Sequence, residues 1–184
     1  MKNQEPALHF ILRFSDNLRG VDTFAEHKRL EEKFGNVWWG KFGVGVATRI
    51  LDRARAQVKA MVPTYVYLAA NRSIRFRGEV VDVLGGGGNG RYKPKDVSRI
   101  PQYYRGEGLA VWFKLKGLRR ATAHDKDGLV LFNDKSSQPA LNGMKGLIYV
   151  CRGTPRAPTR HGGPGGASGI DEHDWDKMAD FLED

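Results

Sequence analysis

The clearest pattern in the chain is the two-residue period between Tyr65 and Val83. Aromatic and aliphatic residues run to Ala70, Asn71-Arg72-Ser73 interrupts them, and apolar positions then alternate with mostly charged ones. This period, rich in β-branched and aromatic residues and split by turn formers, predicts a β-hairpin. We expect the hairpin to be the scaffold of a sheet, with Asn71 and Ser73 marking a turn near a groove.

Helical spacing and short apolar runs predict the other elements. Thr23 and Glu26 match a capping box, as N-cap and third helical residue, of a helix that reaches Phe34 before Gly35. A second helix, apolar on one face, is predicted over residues 46–61 and ends before Pro63. Further strands are predicted at residues 8–14, 109–118, 129–132 and 146–151, with a turn at 124–128.

Two adjacent tryptophans, Trp38 and Trp39, follow the first helix. On an extended chain they cannot point the same way, so we expect one to enter the core and the other to face a groove. Gly40, Gly43 and Gly45 favour a loop here. A tryptophan in a loop beside cations can stack on a nucleobase. A structural role in the core is the alternative for each tryptophan.

A long basic segment follows the hairpin. Residues 85–90 are glycine except for Asn89, and no Gly-Lys-Ser/Thr follows them, so we expect a flexible connection rather than a phosphate-binding loop. The next residues interleave cations with tyrosines, which suits a surface that binds phosphate and stacks bases. The candidate phosphate-binding residues of the hairpin and this segment are Arg72, Arg75, Arg77, Arg91, Lys93, Lys95, Arg99 and Arg105.

Charge is distributed unevenly along the chain. The formal net charge is +9, and residues 171–184 contain seven acids and one lysine, a net of −6. Residues 1–170 therefore carry +15, since 9 + 6 = 15. A domain this basic is expected to attract polyanions, chiefly nucleic acid. A solvated surface that favours solubility is the alternative interpretation.

Composition divides the chain into three parts. We expect a folded domain over residues 1–152, a disordered Gly/Pro-rich linker over 153–170 and an acidic tail over 171–184. Apolar tail residues at helical spacing favour a short helix that docks on a protein partner or on the basic domain, with a frayed tail as the alternative. The chain has no membrane-length apolar run, no signal-peptide pattern and a single cysteine, so we expect a soluble cytoplasmic monomer.

The sequence does not indicate an active site. Its five histidines lack metal-ligand spacing, and Cys151 lies within a predicted strand without an evident base. Asp125 with Asp127 is the nearest approach to a nuclease-type carboxylate pair. We therefore predict a binding module rather than an enzyme, with neither metal nor cofactor, and a nuclease with an unrecognised site is the alternative.

The order of the elements and several strings resemble the YTH domain, a reader of N6-methyladenine within the PUA-like superfamily. The strings are HFILRFSDN at 9–17, Val-Trp at 37–38, VYLAANRSIRFRGEV at 66–80 and VWFKLKGL at 111–118. EVE and ASCH domains share this fold. The resemblance spans residues 8–152 and implies an α+β fold, in which a curved sheet or open barrel is flanked by helices, followed here by the disordered tail.

The resemblance also implies a site in which an aromatic cage encloses a modified base. By position, Trp38 forms one wall, Trp39 contributes a backbone contact and Asp16 bonds the base edge, while Tyr103 or Tyr104 replaces a second tryptophan. The candidate base-binding residues are Ser15, Asp16, Asn17, Trp38, Trp39, Asn71, Tyr103 and Tyr104. The expected function is reading a modified base in DNA or RNA, either N6-methyladenine or a methylated cytosine. General RNA or DNA binding without that selectivity is the alternative.

Overall fold

The structure, a computed structural model, contains one large mixed sheet. It describes residues 5–18, 20–135, 137–144 and 146–153, so the acidic tail and nearly all of the predicted linker lie outside the described residues. The strands of the large sheet are β1 (His9–Arg13), β4 (Val37–Lys41), β5 (Tyr65–Ala70), β6 (Ser73–Gly85), β7 (Val111–Arg120), β8 (Leu129–Leu131) and β9 (Leu147–Arg152). Two short strands, β2 (Asn17–Leu18) and β3 (Val21–Asp22), pair with each other.

The sheet has the order β4-β7-β6-β5-β1-β9-β8. Only β1 and β5 run parallel, and the other neighbours are antiparallel. Register shifts interrupt the β5–β6 and β6–β7 pairings, and such bulges bend and twist a sheet. Together with α1 (Thr23–Phe34), α2 (Thr48–Lys59) and α3 (Ala123–Lys126), this mixed sheet confirms the predicted α+β class.

The predicted hairpin is formed by β5 and β6. Asn71 and Arg72 make its tight turn with φ of 51° and 65°, a left-handed conformation that asparagine tolerates better than most residues. Beyond the turn, Ile74, Phe76 and Val80 are buried, as their period predicts. The hairpin thus occupies the centre of the sheet, with β1 on one side and β7 on the other.

The start of α1 differs from the predicted capping box. The N-cap is Asp22, whose carboxylate accepts a hydrogen bond from Ala25 N at 2.9 Å. The Thr23 hydroxyl instead accepts from Leu18 N at 3.2 Å and closes the β2–β3 hairpin. At the other end Gly35 adopts φ of 77° and donates to Glu31 O, so the predicted stop is confirmed.

The tryptophan segment is a strand, not the predicted loop. β4 pairs with β7 along its whole length, with Trp38 opposite Lys114 and Trp39 opposite Phe113. Gly40 serves close packing here rather than a turn, because an added Cβ would lie 2.2 Å from Leu109 Cδ1. A glycine inside a strand is typical of such close approaches.

Two other predicted connections are more ordered than expected. The predicted turn at 124–128 overlaps α3, whose start Thr122 and Asp125 cap with a reciprocal capping box. The glycine run packs against the segment before α2, since a Cβ at Gly45 would lie 2.6 Å from Gly88 O. Among the described residues, no helix is both long and apolar enough to span a membrane.

Candidate functional site

A cavity of about 560 Å³ opens where β1 and β5 end and β4 passes beside them. Its size falls in the range of small-molecule sites. The end of β1 and the following loop form one wall, β4 forms another, and the β5–β6 turn borders the opening. Its lining residues are Leu12, Arg13, Phe14, Ser15, Asp16, Asn17, Leu18, Thr23, Trp39, Gly40, Lys41, Phe42, Ala70, Asn71, Tyr104 and Gly146.

The cavity brings together most of the residues proposed from the sequence as base-binding groups. Those that line it are Ser15, Asp16, Asn17, Trp39, Asn71 and Tyr104. Trp38 and Tyr103 do not line it. The loop after β1, the strand after α1 and the hairpin turn therefore meet at one place, although they are distant in sequence.

Trp39 supplies the indole of the cavity wall. Its ring stacks on His27 with centroids 3.7 Å apart, and the Phe14 ring lies edge-on to it at 5.7 Å. Burial lowers the pKa of His27 to about 4, so the ring is neutral near pH 7. Nδ1 lies 2.7 Å from Thr23 O, to which it donates in that state. These contacts fix the plane of the indole.

Trp38 lies on the opposite face of β4. It packs in a separate cluster with Ile100, Leu109 and Trp112, and the Lys114 ammonium lies 5.3 Å from its ring. The strand pleat separates the two tryptophans as expected, but both are buried. The side chain at the cavity is that of Trp39, whereas the resemblance assigned the wall to Trp38.

Tyr104 supplies the second aromatic ring. It is buried, its hydroxyl donates to Gly40 O at 3.4 Å, and its ring contacts Phe42 at 5.5 Å. Tyr103 packs beside it, with its hydroxyl 3.2 Å from His27 Nδ1, and burial raises the pKa of that phenol. Of the two tyrosines considered from the sequence, the structure places Tyr104 at the cavity.

A carboxylate and an amide stand at the opening. Asp16 forms an ion pair with Arg75, and Asn71 Nδ2 donates to the same carboxylate at 3.5 Å. The Asp16 side chain remains 41% exposed, so it retains acceptor capacity for a ligand. The Asp16 carbonyl also accepts from Thr23 N, which ties the loop to the start of α1.

Lys41 and Phe42 line the cavity and were missed from the sequence. Lys41 lies on the same face of β4 as Trp39, so the strand period would have found it had the segment not been assigned to a loop. Burial, and then the charge of Arg91, lower the pKa of Lys41. Its ammonium donates to the carbonyls of Phe42 and Val44.

Three of the candidate phosphate-binding arginines are engaged within the protein: Arg77, Arg99 and Arg75, the last through its ion pair with Asp16. Arg77 pairs with Asp125 at 3.3 Å and lies over the Tyr65 ring. Arg99 donates to Phe34 O at 3.0 Å and to Asn36, and it also pairs with Asp96.

The remaining candidates lie closer to solvent. Arg91 donates to Gly43 O at 3.3 Å, and Arg105 to Ile100 O at 3.3 Å. The side chains of Arg72, Lys93 and Lys95 are exposed and make no hydrogen bond or ion pair with the part of the chain that the structure describes. These exposed cations are the best placed to meet a polyanion.

The carboxylate considered for nuclease chemistry has a structural environment. Asp125 is buried and accepts from Arg119 at 2.7 and 3.0 Å and from Thr122. Burial opposes its ionisation, but these bonds and the charge of Arg77 outweigh burial and lower its pKa. Within the described ranges, no group of three or more His, Cys, Asp or Glu residues could hold a metal ion.

A family model described as Pua-like matches residues 10–129. The chain belongs to the PUA-like family. Within this PUA-like domain the match runs from β1 to the start of β8 and includes every cavity-lining residue except Gly146. PUA-like domains commonly bind RNA and other nucleic acids. Comparisons with curated proteins and with solved structures give no significant match.

Proposed function

We propose that this PUA-like domain is a non-enzymatic reader of a modified nucleobase in DNA or RNA. N6-methyladenine is the first candidate and a methylated cytosine is the second. The observation that carries the proposal is the cavity itself, which combines the rings of Trp39 and Tyr104 with the acceptor of Asp16 and the amide of Asn71. Aromatic rings beside hydrogen-bonding side chains suit a flat heterocycle with one polar edge.

The physical chemistry of methylated bases supports this choice. Methylation adds an apolar group to a base, so an aromatic site favours the product by desolvation and by stacking, which is worth about 1–3 kcal/mol per base. Adenine and cytosine both carry an exocyclic amino group. N6-methyladenine keeps one N–H there, and 5-methylcytosine keeps two, so either base can donate to Asp16.

Capture requires the base to leave its stack, which costs a few kcal/mol in a duplex and less in a single strand. Exposed cations offset this cost by contacting phosphates, which gives salt-sensitive affinity without sequence preference. The +15 charge of residues 1–170 supports that contribution. Selectivity would then come from the cavity, and general affinity from the surface around it.

A binding panel tests the proposal. N6-methyladenine and 5-methylcytosine would be placed in otherwise identical RNA and DNA oligonucleotides, and affinities compared with the unmodified strands by fluorescence anisotropy. We expect a preference of about fourfold or more for one modified base, because burying its methyl group is worth about 0.8 kcal/mol. Equal affinities would leave only general nucleic-acid binding. Cleavage of RNA or plasmid on incubation with Mg²⁺ would overturn the non-enzymatic assignment.

The adjacent tryptophans provide a matched pair of variants. Trp39→Phe and Trp38→Phe each shrink one buried aromatic side chain of β4, but only Trp39 lines the cavity. We expect Trp39→Phe to change the preference for the modified base and Trp38→Phe to leave it unchanged, with thermal melts reporting the stability of both. The reverse result would assign the wall to Trp38, as the resemblance implies.

A further inference from the structure

The loop that follows β4 exposes apolar side chains at the edge of the cavity. We name residues 42–45 the rim loop. Phe42 is 46% exposed and Val44 is 74% exposed. Among the described residues that expose a large apolar side chain, only Phe42 also lines the cavity. Exposed apolar groups that are grouped beside a binding site favour a contact surface for the ligand or a partner.

Neighbouring side chains hold the rim loop in place. Lys41 donates to the carbonyls of Phe42 and Val44, and Arg91 donates to Gly43 O at 3.3 Å. At the end of the rim loop, Gly45 packs against the carbonyls of Gly86 and Gly88. The Phe42 ring rests against Tyr104, with centroids 5.5 Å apart. The loop is therefore a pre-formed surface, which reduces the entropy lost when a ligand binds.

The charge around the rim loop indicates the chemistry of its occupant. The cations that bind its carbonyls, Lys41 and Arg91, place positive charge beside an exposed aromatic ring. Single-stranded nucleic acids are recognised by this combination, in which cations follow the backbone and aromatic rings stack on bases.

We propose that the rim loop stacks on a nucleotide next to the captured base, with Phe42 as the stacking ring. This inference rests on the proposed function, because it takes the cavity to be a nucleobase site. It makes an oligonucleotide the ligand, rather than a free nucleoside, and it assigns recognition of the neighbouring nucleotide to the edge of the cavity.

A cycle between protein and oligonucleotide variants tests this contact. One oligonucleotide carries N6-methyladenine between normal nucleotides, and a second carries it between abasic residues, so that the phosphates are unchanged. We expect the wild-type protein to bind the abasic form about tenfold more weakly. Phe42→Ala should bind both forms with the same weakened affinity, and Phe42→Trp should behave as the wild type does.

The outcomes separate the two proposals. If Phe42→Ala lost affinity equally for both oligonucleotides, Phe42 would contact only the base in the cavity. If it lost affinity for neither, Phe42 would not contact the ligand. Either result overturns the inference. Met61→Ala, which removes another exposed apolar side chain away from the cavity, is the control.

Repeating the cycle with unmodified adenine shows whether stacking persists if selectivity for the modified base fails. A wild-type protein that binds neither form overturns both proposals.

Discussion

At the scale of single residues, Asp16 is the group whose replacement should separate base recognition from stability. Asp16→Asn keeps the shape of the side chain but turns one acceptor oxygen into a donor. An N–H donor on the base would then lose a charged partner, worth about 1.5–3 kcal/mol. We expect affinity for the modified oligonucleotide to fall by about tenfold or more, with little change in thermal stability, because exposed ion pairs contribute at most about 1 kcal/mol.

Asp52→Asn is the matched control. Asp52 is also an exposed carboxylate paired with an arginine, Arg55, at 2.8 Å, but it lies on α2 outside the cavity. Its replacement should leave both binding and melting nearly unchanged. Each variant loses one negative charge, so an equal gain in affinity for the oligonucleotide in both would show that Asp16 acts only through general electrostatics.

A second prediction at this scale concerns His27, which supports Trp39. Because burial lowers its pKa from 6.5 to about 4, the unfolded chain binds a proton between these pH values that the folded chain does not. Its contribution to stability is therefore complete above pH 6.5 and is lost as the pH falls towards 4. We expect the free energy of unfolding, measured in urea, to fall by up to about 1.4 kcal/mol per pH unit from this group.

Substitution isolates the effect of His27. His27→Phe keeps a ring against Trp39 and should make the pH dependence shallower, even if it lowers stability at pH 7. Part of the slope should remain, because burial also lowers the pKa of His9 to about 4. His124→Phe, at an exposed position, controls for the loss of an imidazole. A slope unchanged by His27→Phe would contradict the prediction.

At the scale of elements, the basic segment between β6 and β7 has two kinds of cation. Lys93 and Lys95 are exposed, whereas Arg99 joins the segment to the end of α1 through Phe34 O. Replacing both lysines by alanine should reduce the slope of log affinity against log salt by about one to two units without changing the melt. Arg99→Ala should instead lower the melting temperature and leave that slope unchanged. A reversal of these effects would show that Arg99 contacts phosphate.

Local sequence patterns predicted the types of most elements but misread β4. Some features depend only on residues close in sequence, so the sequence predicts them. They are the hairpin, the end of α1 at Gly35 and most strand positions. Gly40 favours a loop when only its neighbours in sequence are considered. A glycine is needed there because the distant Leu109 side chain packs over it. Thr23 likewise matches a cap in sequence, because its bond to Leu18 depends on a hairpin too short to leave a pattern.

At the scale of the whole molecule, the cavity depends on strand pairing that no local pattern specifies. The parallel pairing of β1 with β5 brings the loop after Arg13 next to the turn at Asn71. The resemblance predicted this meeting of Asp16 with a tryptophan and a loop tyrosine. It assigned the wall to Trp38, whereas Trp39 lines the cavity. Adjacent strand residues point to opposite faces, so a shift of one residue exchanges them.

The charge of the whole chain leads to a prediction about the acidic tail, which lies outside the described residues. Removing residues 171–184 raises the formal net charge from +9 to +15. We expect the shortened protein to bind unmodified oligonucleotides more tightly at low salt, with the difference shrinking as salt screens the charges. A full-length variant with the seven tail acids changed to Asn or Gln controls for length and should match the shortened protein. If only the shortened protein gained affinity, the tail would act through its bulk rather than its charge, and an unchanged affinity in both would mean that it does not compete with nucleic acid.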